Sequence, residues 1–162
     1  MSEARRHRQL LFISLISALA LAIVPLPAAV AVYRPDLVPI VLIFWGLMAS
    51  ERVGLLTAFS MGLALDTLSG ALLGQHALAM VTVVYLSMRF HLRIRVFPVW
   101  QLSMTVILLL TIYEFMLFWI DGIVGRSVPV IERWAPIVSG GLVWPLILRY
   151  LVSVRHDTQI RV

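Results

Sequence analysis

Three carboxylates interrupt otherwise apolar sequence, and any chemistry of this chain would have to start from them: Asp66, Glu114 and Asp121. Placing such a group in hydrocarbon costs on the order of 3 kcal/mol unless it is paired, hydrogen-bonded or protonated, so each is a functional candidate. A proton or cation path would need acids at several membrane depths. Metal-assisted hydrolysis would need clustered ligands, but the four histidines, His7, His76, His91 and His156, are scattered and match no ligand spacing. Cysteine is absent, which removes disulfides, thiolate metal sites and thiol nucleophiles. No G-x-S-x-G occurs to carry a serine nucleophile. No enzymatic role is expected, and neither a metal nor a cofactor.

The elements that position these acids follow from composition. Of 162 residues, 61% are hydrophobic and 13% are charged, and the mean hydropathy is +0.98. Soluble domains carry roughly 25% charged residues. The expected fold is an all-α integral membrane protein, a single polytopic domain over 1–162. A spanning helix needs roughly 20 apolar residues, and the apolar runs divide into spans near 10–32, 37–50, 53–68, 71–90, 99–120 and 134–152. Pro25 and Pro27 should kink or end the first. The run from Val53 to Met88 would be roughly 50 Å long as one helix, against a hydrocarbon core of roughly 30 Å. It is expected to break between Leu68-Ser69-Gly70 and Gly74-Gln75-His76.

Charge placement orients the six spans. All 13 basic residues are arginines, and the formal net charge is +5. They punctuate apolar runs without forming a basic face, which argues against nucleic acid as a partner. With six crossings, Arg5, Arg6, Arg8, Arg52, Arg89, Arg93, Arg95, Arg149, Arg155 and Arg161 share one side, and Arg34, Arg126 and Arg133 face the other. The positive-inside rule puts the larger set, and both termini, in the cytoplasm. Arg5-Arg6 before an apolar run with Ala29-Val30-Ala31 after it mimics a signal peptide, but the run exceeds the usual roughly 7–15 residues and more spans follow; it is read as the first helix.

Ala58, Gly62, Asp66, Gly70 and Gly74 recur every four residues, placing small side chains and one acid on a single helical face. Small residues let helices approach closely in lipid. The face suits packing against a neighbouring span or docking of a partner's transmembrane helix. Asp66, followed by Thr67, Ser69 and Gly70, is placed to cap a helix restarting at Ser69 or Gly70. A polar contact with a partner and a transport role are its other readings. Glu114 and Asp121 lie two turns apart on one face, with Thr111 near enough to share Glu114's hydrogen bonding. Arg34, Arg126 and Arg133 are candidate counter-charges. All three acids fall in the outer half, which leaves transport chemistry poorly supported. Pro145, after Trp144, should kink the last span by freeing the Gly141 carbonyl. The five tryptophans are expected mostly near span ends.

The arginine-rich start, Tyr33-Arg34-Pro35-Asp36, the pattern Gly62-x-x-x-Asp66-x-x-Ser69-Gly70-x-x-x-Gly74, and Gly141-Leu142-Val143-Trp144-Pro145 with Arg149 together resemble the rod shape-determining protein MreD family over nearly the whole chain. That resemblance implies a non-catalytic component of the bacterial inner membrane within the cell-elongation machinery. Its partners would be MreC and, through it, MreB and the RodA/penicillin-binding-protein peptidoglycan synthase; a homo-oligomer is compatible. It marks Arg34, Pro35, Asp66, Ser69, Gly70, Gly74, Trp144 and Pro145 as fold or interface determinants. The family is also similar to the six-helix substrate-binding components of energy-coupling-factor transporters. The alternative function is therefore a vitamin-type small-molecule-binding component, with Asp66, His76, Glu114 and Arg34 lining an outer cavity and Ala18, Ala20 and Ala22 on a coupling face.

Overall fold

The most uniformly apolar helix lies in the middle. Val38 to Leu47 are all buried, as expected where a helix is hydrophobic on every side. The computed structural model describes residues 3–27, 31–50, 53–94, 96–127 and 129–157. They form six helices: α1 (Glu3–Ile23), α2 (Leu37–Met48), α3 (Leu55–Ser69), α4 (Gln75–Ile94), α5 (Val99–Val124) and α6 (Val130–Asp157). Arg52, Arg95, Arg161 and the Ala29-Val30 part of the cleavage-like site lie outside the described residues.

The core sits around α2, which touches α1, α4, α5 and α6. In turn α3 packs along α4, α4 along α5, and α5 along α6. Leu11, Leu15 and Ala18 bring α1 into this core. Three helices are long and apolar enough to cross a membrane: α4, α5 and the Arg133–Leu151 stretch of α6. The apolar parts of α1 (Gln9–Ile23), α2 and α3 are shorter. The 12 residues of α2 rise only about 18 Å at about 1.5 Å each.

Helix ends explain where the boundaries depart from expectation. The first helix stops at Ile23 rather than 32, just ahead of Pro25 and Pro27, which cannot donate to a preceding turn. Gly70 adopts a left-handed conformation (φ 65°) and its N–H returns to the Asp66 carbonyl, closing α3. Gly74 also has positive φ, 96°. Both glycines therefore belong to the α3–α4 turn. The expected helical face does not continue through Gly70 and Gly74, and α4 starts at Gln75 instead of 71.

Within α3 the small-residue face is Ala58, Gly62 and Asp66, all buried. The close approach is at Gly62, where a β-carbon would lie 2.2 Å from Ala77 Cα on α4. Gly62 and Asp66 are thus covered by the chain's own α4 and the turn before it. The tryptophans lie mostly near helix ends but differ in burial. Trp100 and Trp119 are exposed, but Trp144 is wholly buried with its ring 6.3 Å from Phe44. Trp45 is buried too, and its Nε1 donates to Ser14 Oγ at 2.9 Å. Large aromatic volume fills the junction of α1, α2 and α6, where two glycines, Gly140 and Gly141, precede Trp144 on α6.

Candidate functional site

The α3–α4 and α5–α6 turns, with the start of α2, lie at the same end of an up-and-down bundle. Six carboxyl, guanidinium and imidazole groups come together there, those of Asp36, Asp66, Glu114, Asp121, Arg133 and His76, joined by the Gln75 amide.

Asp66 is 1% exposed. Its Oδ2 accepts the Gly74 N–H at 2.8 Å, and its Oδ1 accepts the His76 N–H at 2.9 Å and lies 2.7 Å from His76 Nδ1. The first N–H groups of a helix have no partner within it, and a carboxylate there also opposes the positive end of the helix dipole. Asp66 is therefore a cap delivered from α3 to α4. Its capping target differs from the expected one: Ser69 ends α3 and its hydroxyl turns back to the Leu65 carbonyl at 2.6 Å, so the N–H groups awaiting a partner are those of 74 and 76.

The second half of the cluster is centred on Arg133 of α6. Its guanidinium pairs with Asp121 through Nη2 and with Glu114 through Nη1 at 3.5 Å. Glu114 and Asp121 are seven residues apart on α5 and both are buried, so one guanidinium can span the two turns between them. Gln75 Nε2 donates to Asp121 Oδ1 at 2.9 Å, extending the connection to α4. The Asp36 carboxyl, at the start of α2, lies close enough to Glu114 to interact with it electrostatically. Such groups are costly to bury alone but tolerable as a paired set.

Of the three proposed counter-charges only Arg133 serves. Arg34 instead donates to the Val24 carbonyl at 2.8 Å, tying the end of α1 to the segment before α2, and Arg126 is exposed. Thr111 is not shared with Glu114, because its hydroxyl returns to the Ile107 carbonyl at 2.8 Å. Trp144 and Pro145 lie on α6 outside this cluster, Trp144 buried and Pro145 half-buried. Sequence reading missed Gln75, Asp36 and Tyr113 as members. Tyr113, beside Glu114, is 1% exposed with its ring 6.3 Å from that of His76, and its hydroxyl has no partner among the described residues.

The arrangement offers little chemistry. Among the described residues no set of three or more His, Asp or Glu could hold a metal ion. Asp66 and His76 resemble two members of a triad, but no described hydroxyl bonds the other ring nitrogen. Three residues of the alternative vitamin-type cavity, Asp66, His76 and Glu114, fall within this cluster but are already engaged there, and Arg34 lies apart from them. Asp66 and His76 engage each other, Glu114 engages Arg133, and Arg34 engages Val24. A groove of about 240 Å³ lies elsewhere, between α1, α2 and α6, with an apolar lining that includes Leu21, Val41 and Ile147.

Comparison with known proteins bears on the role of such a bundle. Residues 4–154 match the family model described as rod shape-determining protein MreD. The chain is 25% identical over 146 residues to the rod shape-determining protein MreD of Haemophilus influenzae, an alignment covering 88% of each chain. No solved structure matches the chain significantly.

Proposed function

The chain belongs to the rod shape-determining protein MreD family, and on that premise we propose that it is a non-catalytic, six-span component of the bacterial inner membrane. In this reading it binds MreC and, through it, helps to place MreB and the RodA/penicillin-binding-protein synthase during peptidoglycan synthesis. Family membership implies involvement in rod-shape determination, and the match over residues 4–154 is the observation that carries the proposal.

Two physical features support it. The clustered acids are consumed in holding helices together: Asp66 caps α4, and Glu114 and Asp121 share Arg133. With such short connections, the protein has mainly helix surface to offer a partner. Second, ten of the 13 arginines would fall on one side of a six-span arrangement, an asymmetry that favours cytoplasmic termini. Helices α1 to α3 would then cross as short spans, accommodated by local bilayer thinning and by neighbouring longer helices.

Affinity capture from membranes of the native host tests the reading. MreC and wall synthases should be recovered. Recovery of an ATPase pair with a bound vitamin would replace this reading with the transporter alternative.

A further inference from the structure

The outward face of α4 changes character along its length. Leu78 is 53% exposed, Tyr85 52% and Leu92 72%, and Arg89 and Arg93 are exposed beside them. Offsets of 7, 11 and 14 residues keep 78, 85, 89 and 92 on one helical stripe. The opposite face, with Ala77, Met80, Val84 and Ser87, is buried against the bundle. Trp100, in the first turn of α5, is 64% exposed just beyond the same end.

Among the described residues, the two arginines form no ion pair or side-chain hydrogen bond. Ion pairs among the described residues involve His76 and Arg133 on the basic side, never Arg89 or Arg93. The sequence holds no acid between Asp66 and Glu114. Two guanidinium groups one helical turn apart, about 6 Å along the axis, present paired donors suited to phosphate oxygens. Leu78 lies about 16 Å from Arg89 along the axis, roughly half of a hydrocarbon core of about 30 Å, with Tyr85 between them. Aromatic rings at that level are characteristic of the head-group boundary.

We infer that this face of α4, with Trp100, is a binding site for an anionic phospholipid, its phosphate held by Arg89 and Arg93 and its acyl chain laid along Leu78 and Tyr85. An acidic polypeptide could satisfy the arginines but would leave Leu78 and Tyr85 uncovered. A lipid covers both regions with one molecule. The juxtaposition of unpaired cations with an exposed apolar stripe on the same face carries the assignment.

The experiment uses the full-length purified chain in a neutral detergent, titrated with dioleoylphosphatidylglycerol or dioleoylphosphatidylcholine. Bound lipid is read by native mass spectrometry and the thermal midpoint is followed in parallel. Phosphatidylglycerol should bind more tightly and raise the midpoint. Each surface arginine near an anionic head group is worth roughly a 5-fold change in affinity. Arg89→Gln with Arg93→Gln should therefore weaken phosphatidylglycerol binding by about 25-fold, while the corresponding double lysine variant keeps most of it. Equal binding of phosphatidylcholine would overturn the assignment. So would unchanged binding by the double glutamine variant, or an equal midpoint rise with inorganic phosphate alone.

Discussion

Asp66 on α3 caps the helix that follows it: its carboxylate accepts the His76 N–H at 2.9 Å and lies 2.7 Å from that residue's ring Nδ1. One side chain thus satisfies backbone donors at the start of α4 and fixes an imidazole, all at 1% exposure. The polar end of the bundle is ordered around this contact and the Arg133 bridge.

Asp66→Ala leaves the Gly74 and His76 N–H groups buried without an acceptor. Each unsatisfied group costs about 1–3 kcal/mol, so the thermal midpoint in detergent should fall strongly. Asp66→Asn keeps one acceptor oxygen and should lose less than half as much. Equal behaviour of the two variants would contradict the capping role.

Arg133→Gln strands Glu114 and Asp121 in the interior. Breaking a buried pair by removing one partner costs about 3–5 kcal/mol. Adding Asp121→Asn and Glu114→Gln should recover much of that loss, because neutral groups no longer need the guanidinium. A triple variant as unstable as the single one would show that Arg133 acts through packing instead. Coupling of this kind is what combined substitutions measure among neighbours.

Substitutions at Gly62 and Gly70 should act through different costs. At Gly62 a new β-carbon would meet Ala77 backbone at 2.2 Å, so Gly62→Ala must push α3 from α4, with a cost of about 1–3 kcal/mol. At Gly70 nothing lies within 4 Å, and Gly70→Ala pays only for its left-handed backbone, about 1–2 kcal/mol. Gly70→Asn should recover part of that. Detergent unfolding of the three variants measures both costs.

Much of this was legible in the sequence. Apolar run lengths located six helices, and the isolated acids pointed to the end that matters. The four-residue spacing of Ala58, Gly62 and Asp66 gave a real packing face. Extending it through Gly70 and Gly74 failed because spacing is blind to φ: a left-handed glycine ends a helix while preserving the interval. The acid partners were only half visible. Arg133 could be named among three candidate counter-charges, but choosing it requires knowing that α6 starts close beside the end of α5. Asp36 and Tyr113 were hidden because their roles depend on α2 lying at the centre, which no local pattern states. The tryptophans stand mostly near helix ends, as expected, but position along a span does not reveal whether a ring faces lipid or core.

Tyr113→Phe removes a buried hydroxyl that has no partner among the described residues. Burying an unpaired hydroxyl is unfavourable by about 1–3 kcal/mol, so the variant should be as stable as the parent or more so. A clear drop in the midpoint would mean that the hydroxyl is bonded in the folded protein.

The most direct test of the central claim is complementation joined to capture. The native gene is replaced by one encoding affinity-tagged chain, and cell shape and membrane copurification are measured together. A scaffold of the elongation machinery should keep cells rod-shaped and bring down MreC, with both lost together in Arg133→Gln. Rod-shaped cells in the complete absence of the chain, or capture that never contains MreC, would contradict it.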